Sequence, residues 1–310
     1  MSVLVWAMII AGVAALASGV LLALPRVRAA SGAGKLIAFG PVFEAAPLLV
    51  FSMEHFLDAH DLMRIVPRWL PGPLFWTYFV GVCLVAAAVS FIALRCVRWS
   101  ASLLALLFLI IVATLDLPNV AKEAHDRFFW ILTVRETAFA AGATVLAGSV
   151  WRSPTVGAAL MRTGRAVLAP IFVFYAIEHF LFPHNVPGVP LEKVTPDWMP
   201  APVLIAYLTG ITLLVAGPAL LVRRTVHIAA AGSGLVLLLI TVFFYVPILL
   251  TELHTPLAVE GLNYIFDTML FAGTALLAGF GVERSEGRAG ERASSERKDP
   301  VSAPKLTKAQ

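Results

Sequence analysis

Charged residues are scarce in this chain. They make up 14% of its 310 residues, whereas 59% of the residues are hydrophobic. An ordinary soluble domain contains about 25% charged residues, so the composition excludes that class. Runs of roughly 20 apolar residues, the length that a membrane-spanning helix needs, recur along most of the sequence. Together with a mean hydropathy of +0.87, they predict an all-α integral membrane protein in contact with the lipid bilayer.

Cysteines and the motifs of soluble enzymes are also scarce. Cys83 and Cys96 would lie about 20 Å apart on one helix, which is too far for a disulfide bond. The sequence has no Walker loop, no dinucleotide-binding glycine pattern, no Cys-x-x-Cys pair and no serine elbow. The net charge of +4 comes from short loops and the tail, so it does not indicate a nucleic-acid partner.

Nine apolar runs predict nine transmembrane helices. The first run has no basic residue before it, and Arg26 and Arg28 follow it. A cleaved signal peptide shows the opposite order of charge, so we expect this helix to be retained. The predicted spans are residues 3–24, 36–57, 74–94, 100–121, 128–150, 166–183, 201–222, 228–250 and 262–282.

Basic residues in alternate loops predict the orientation. The loops on one side contain ten of them, and those on the other side contain five. Cytoplasmic loops carry the excess of Lys and Arg, so we expect the N-terminus outside and the C-terminus inside a bacterial inner (cytoplasmic) membrane. The tail of residues 283–310 is rich in small and charged residues and is predicted to be disordered and cytoplasmic. The larger set is Arg26, Arg28, Lys35, Arg95, Arg98, Arg152, Arg162, Arg165, Arg223 and Arg224, and the smaller set is Arg64, Arg68, Lys122, Arg127 and Lys193.

Sequence motifs recur at nearly constant offsets and predict a duplicated unit. The stretch at residues 54–57, Glu-His-Phe-Leu, returns 124 residues later at 178–181. At an offset of 129, Trp69 matches Trp198, and at 131 Glu136 matches Asp267. Each unit has four helices, so both copies should enter the membrane in the same direction, related by an axis along the membrane normal. We therefore expect an N-terminal helix and loop at 1–35, a first unit at 36–150, an inner linker at 151–165 and a second unit at 166–282.

Each predicted unit contains a Trp-x-Pro-x-Pro stretch after the acidic/His motif, followed by Tyr-x-x-Gly. These motifs are residues 69–73 with Tyr78 and Gly81, and residues 198–202 with Tyr207 and Gly210. The pattern resembles the DoxX-like (DoxX/DoxD-type) family of bacterial membrane proteins, here in tandem. This resemblance implies a membrane-embedded helical bundle. One branch is similar to the membrane subunit of a thiosulfate:quinone oxidoreductase, which implies a quinone as cofactor and a periplasmic redox partner.

Acidic and histidine side chains of both predicted units would lie in one layer near the outer face. Imidazole and carboxylate groups suit Zn, Fe, Cu or Mn, and His55, His125, His179 and His254 are the candidate metal ligands. Alternatively, the layer could exchange protons with a quinone head group, or it could simply pin the helix ends by hydrogen bonds. The candidate residues are Glu54, His55, His60, Glu123, His125, Glu178, His179, His184, Glu252 and His254.

Two further acids, Glu136 and Asp267, lie inside the last predicted helix of each unit. An acid at that depth costs a few kcal/mol unless it is paired or protonated, so we expect both to be hydrogen-bonded or protonated within the bundle. Arg135 is adjacent to Glu136, but neighbouring residues of a helix point to different faces. Phe266 replaces the arginine in the second unit.

Three functions follow from these patterns. The first is a redox-associated, quinone-linked membrane subunit with the Glu/His layer as its site. The second is a small-molecule or proton-coupled carrier that uses Glu136 and Asp267 between the two halves. The third is a non-catalytic scaffold for a periplasmic partner.

Overall fold

The computed structural model describes residues 2–281, and the predicted disordered tail of residues 283–310 lies outside them. The regular secondary structure of the described residues is helical, and an isolated bridge pairs Asn185 with Val194. The prediction of an all-α protein is therefore confirmed for this part of the chain.

Within residues 2–281, nine long helices lie at the positions of the nine predicted spans. Eight of them, α1 to α8, are long and apolar enough to cross a membrane, which supports a multi-pass membrane protein. The ninth helix does not belong to that set, and every one of its residues from Ile265 to Leu277 is buried. The helices are α1 (Val3–Ala29), α2 (Gly34–Leu57), α3 (Pro73–Ala93), α4 (Val97–Lys122), α5 (Arg127–Ser149), α6 (Pro154–Leu181), α7 (Pro202–Ala219), α8 (Val226–Glu252) and α9 (Ala258–Leu277).

Polar side chains at the helix starts explain several of these bounds. The Ser2 side chain accepts a hydrogen bond from the backbone N–H of Val5, and this bond caps α1. The Ser153 side chain caps α6 in the same way, and Pro154 suits the first position of a helix because it has no N–H to satisfy. The expected linker of residues 151–165 is correspondingly short, since α6 already begins at Pro154.

The helices α2 to α9 pack in a closed ring. Each one contacts the next along the chain, and α9 returns to pack against α2. In addition, α5 and α9 contact each other directly, and α1 packs on α2 and touches α3 and α9. The line of contact between α5 and α9, called the α5/α9 seam below, therefore lies in the interior of the bundle.

Two of the long helices contain a π-helical segment. One is Val112–Asp116 in α4, and the other is Thr241–Tyr245 in α8, 129 residues further along the chain. A proline follows each segment, at Pro118 and Pro247, and its missing N–H interrupts the regular helical bonding. The π segment of α4 brings Asp116 into the bundle, where only 6% of the residue is exposed.

Candidate functional site

A buried arginine joins two acids at the α5/α9 seam. Arg135 Nη1 donates a hydrogen bond to Asp267 Oδ2 at 2.7 Å, and Arg135 Nη2 donates to Glu136 Oε1 at 3.1 Å. The three side chains are only 11–16% exposed. Arg135 lies eight residues into α5, about 12 Å below the start of that helix. We call these three residues the Arg135 site.

Arg135 pairs with its sequence neighbour Glu136, although neighbouring residues of a helix were expected to point to different faces. The two side chains leave the helix in different directions, but the guanidinium group is long and presents several donors in one plane. It can therefore reach Glu136 beside it and Asp267 on the facing helix at the same time. Both acids are hydrogen-bonded within the bundle, as their depth requires.

Carboxylates outnumber cations around this site. Asp116 of α4 interacts electrostatically with Arg135 and Glu136, and its Oδ2 is buried without a hydrogen-bond partner among the described residues. Arg135 Nε is buried and unpartnered as well. One guanidinium group can balance one carboxylate, and an unbalanced charge is costly in a low-dielectric interior. The cluster of Arg135, Glu136, Asp267 and Asp116 is therefore more stable when its acids bind protons.

A loop between α6 and α7 covers this end of the seam. Residues 186–191 of this loop are buried although their backbone is irregular. The Thr268 hydroxyl donates to Val189 O at 2.5 Å, directly beside Asp267, and Arg127 Nη2 donates to Leu191 O at 2.9 Å. Irregular backbone is tolerated inside a membrane protein only where protein groups satisfy it, and these bonds do so. We call residues 186–191 the plug.

In the first Glu-His copy, Glu54 bonds to a neighbouring helix and His55 bonds within its own helix. Glu54 Oε1 accepts a hydrogen bond from Asn263 Nδ2 of α9 at 2.8 Å. His55 Nδ1 lies 2.9 Å from Phe51 O, one turn earlier in the same helix. The Cβ of His55 also packs against Gly81 of α3, so closely that an added Cβ there would lie 2.8 Å away. These contacts fit the structural alternative, in which the motif pins helix ends.

The second copy holds the plug in place. Arg127 Nε donates to Glu178 Oε2 at 2.5 Å, and both side chains are mostly buried. His179 is fully buried, its Nδ1 lies 2.6 Å from Tyr175 O, and the backbone N–H of Gly188 donates to its Nε2 at 3.0 Å. A ring with one carbonyl and one N–H as partners must be neutral with its proton on Nδ1. Both nitrogens of His179 are thereby occupied, which leaves neither for a metal ion.

The remaining candidates of the Glu/His layer do not join these contacts. Glu252 pairs with Lys193, at 2.5 Å between Oε1 and Nζ. Within residues 2–281, no three His, Cys, Asp or Glu side chains are arranged to hold a metal ion. Cys83 and Cys96 are free thiols. The side chains exposed to solvent are those of His60, Glu123, His125, His184 and His254.

Three polar residues of the interior are not among the residues predicted from the sequence. Asp116 lies within the predicted span 100–121 and is buried, and Glu44 of α2 is fully buried. Glu192 follows the plug. Burial raises the pKa of its carboxyl group, although the charges of Arg135 and Arg127 act in the opposite direction. A search for acids inside apolar runs, without regard to the repeat, would have found Asp116 and Glu44, whereas nothing local marks Glu192.

Comparisons with known proteins add a partial match. A family model described as a domain of unknown function (DUF8561) matches residues 44–124, from the middle of α2 to just past the end of α4. No curated protein and no solved structure matches the chain. The matched segment includes Glu44 and Asp116 but neither Arg135 nor Asp267. The resemblance to the DoxX-like family stays a prediction.

Replacing Gly188 with alanine should loosen the plug. The glycine has φ +120°, a conformation that other residues rarely adopt, and an added Cβ would lie 3.2 Å from Thr268 and from Tyr245. We expect a loss of about 1–3 kcal/mol of stability, measured by thermal unfolding in detergent. Gly32→Ala is the control, because its φ of +50° is also positive but nothing lies within 4 Å. Equal melting temperatures for the two variants would contradict a tightly packed plug.

Proposed function

We propose that this protein is a membrane carrier that transports protons and that the Arg135 site is where it binds them. The observation that carries the proposal is the charge count of the buried cluster. One arginine faces Glu136, Asp267 and Asp116, and these groups lie among helices of membrane-spanning length. Ionisable residues buried in this way mark proton and ion pathways in membrane proteins.

The position of the site fits a carrier better than a structural ion pair alone. Glu136 and Asp267 are equivalent residues of the two predicted halves, and one guanidinium group lies between them. Protonation of either acid would remove its ionic attraction to Arg135 and weaken the contact between α5 and α9. Binding and release of a proton would thus be coupled to the packing of one half against the other, which is what alternating access requires.

We further propose that the halves are two parallel copies of one four-helix unit. The spacing of 129 residues between the π segments equals the offset between the sequence motifs. The packing of α2 against α9 also has its counterpart in the packing of α6 against α5. An N-terminus outside and a C-terminus in the cytoplasm of a bacterial inner membrane remain part of the proposal. A single cysteine at the exposed position 184, in a variant whose native Cys83 and Cys96 are replaced by serine, would check this orientation when labelled from one side of the membrane.

Proton movement through purified protein in liposomes tests the proposed function. A dye inside the liposomes reports how fast an imposed pH difference decays. We expect the wild-type protein to accelerate the decay and the double variant Glu136→Gln, Asp267→Asn to return it to the rate of protein-free liposomes. The amides keep the size of the acids and remove their capacity to carry a proton.

Asp61→Asn serves as the matched control for this experiment. Asp61 is an acid of the exposed surface, paired with Arg64 at 2.9 Å, and its removal should leave the decay unchanged. A wild-type rate equal to that of protein-free liposomes would overturn the proposed function. A double variant as fast as the wild type would show that the Arg135 site does not carry the protons.

The redox and scaffold functions stay predictions. A quinone-linked subunit would need free polar groups near a lipid-accessible cavity. In the described part of the chain, however, Glu54, Glu178 and His179 are all engaged with protein partners. No contact of Glu54, Glu178 or His179 favours a quinone or a periplasmic partner over a carrier that transports protons.

A further inference from the structure

Glu44 is a carboxyl group enclosed in the bundle. It lies in α2, about 15 Å from the start of that helix at Gly34, and none of its surface is exposed. Its Oε2 accepts a hydrogen bond from Thr274 Oγ1 of α9 at 3.3 Å. Its Oε1 is buried and has no partner among the described residues. An ionised carboxylate with so little support is expensive at this depth, so burial favours the protonated form of this group.

The α5/α9 seam connects Glu44 with the Arg135 site. Gly142 lies seven residues after Arg135 in α5, and Thr274 lies seven residues after Asp267 in α9. Seven residues are two helical turns, so each pair lies on one face of its helix, about 10 Å apart along the axis. An added Cβ on Gly142 would lie 2.9 Å from Thr274, which shows that the seam is closed at this level too. Through Thr274, Glu44 thus contacts the α5/α9 seam about 10 Å further from the plug than the Arg135 site.

We propose that Glu44 is a second proton-binding site, on the side of the Arg135 site away from the plug, and that protons pass between the two along the α5/α9 seam. A proton from water would bind at Oε1 to form the carboxylic acid, and its release toward the Arg135 site would restore the carboxylate. The path rests on the proposed function, whereas the protonation of Glu44 does not.

An apolar layer separates Glu44 from the Arg135 site. Ala138 of α5 and Leu270 of α9 lie one turn below the Arg135 site, and both are buried. A continuous polar path would leak protons, whereas an apolar layer passes them only when the seam opens and admits water. Glu44 has no acidic counterpart in the second predicted half, where Leu168 lies 124 residues later. The proposed path therefore runs through the first predicted half alone.

Infrared spectroscopy tests the protonation of Glu44 directly. The C=O band of a protonated carboxyl group in the wild type should shift in D₂O and should lose intensity in Glu44→Gln. The amide oxygen of glutamine can accept the same bond from Thr274, so this variant should fold. Thr274→Val is a second variant, which keeps the acid and removes its donor, and the band should move to higher frequency. Spectra of both variants that match the wild type would overturn the inference.

Proton flux in the same liposomes tests the path. Glu44→Gln should bring the decay of the pH difference to the rate of protein-free liposomes, and Asp61→Asn should not change it. A lost infrared band with wild-type flux would overturn the path between the two sites. A wild-type protein that moves no protons would overturn the proposed function, and the infrared result would still decide whether Glu44 holds a proton.

Discussion

Replacing Arg135 with alanine is expected to destabilise the protein by about 3–5 kcal/mol, the largest effect of any single substitution at the site. The guanidinium group is the only partner of Asp267 Oδ2 and Glu136 Oε1 shown among the described residues. Its removal leaves two buried carboxylates side by side, and each must take up a proton or remain unbalanced. The measurement is the free energy of unfolding in detergent, or the melting temperature where unfolding is irreversible.

Removing the acids together with the arginine should recover much of this loss. The triple variant Arg135→Ala, Glu136→Gln, Asp267→Asn removes the three charges of the Arg135 site and leaves Asp116 as the one acid of the cluster, which costs less than a broken ion pair. Arg64→Ala is the matched control, because the Arg64–Asp61 pair is 61–77% exposed and its loss should cost less than about 1 kcal/mol. A triple variant as unstable as Arg135→Ala would mean that packing, not charge balance, explains the effect.

The helices could be predicted from the sequence because each depends on local composition. Apolar runs of sufficient length and basic loops between them mark the spans, and each predicted span overlaps a long helix of the described residues, eight of which are apolar enough to cross a membrane. The two π segments were not predicted from the sequence, but they are 129 residues apart, as are Pro118 and Pro247. The short connection before α6 was the main difference, because a helix can continue beyond the membrane without an apolar sequence.

The contacts of the site could be predicted only in part. Glu136 and Asp267 were recognised as buried acids, but the partner of both is set by how α5 faces α9. The plug carries no signal in the sequence, because Val-Pro-Gly-Val-Pro-Leu reads as an ordinary outer loop. Its burial depends on distant donors such as Thr268 and Arg127. The two Glu-His motifs differ in their contacts for the same reason, since different side chains and loops surround them in the fold.

Replacing Gly273 with alanine should separate α2 from α9. An added Cβ would lie 2.7 Å from the backbone N of Glu44 and from the backbone C of Phe43. Backbone atoms of a packed helix cannot move aside as a flexible side chain can, so we expect a loss of about 1–3 kcal/mol or more. Small residues allow helices to approach this closely in membranes, where packing is the main attraction between them. The measurement is again the free energy of unfolding in detergent.

Gly232→Ala provides the opposite case for that prediction. Gly232 lies within α8, and nothing is within 4 Å of an added Cβ. Alanine is the better helix former, so this variant should be as stable as the wild type or more stable by about 0.5–1 kcal/mol. If Gly273→Ala were equally harmless, α2 and α9 would not be in close contact. Glu44 and Thr274 would then lose the contact that places Glu44 at the α5/α9 seam. A large difference between the two variants would instead show that the absence of a side chain at position 273 sets the distance between α2 and α9.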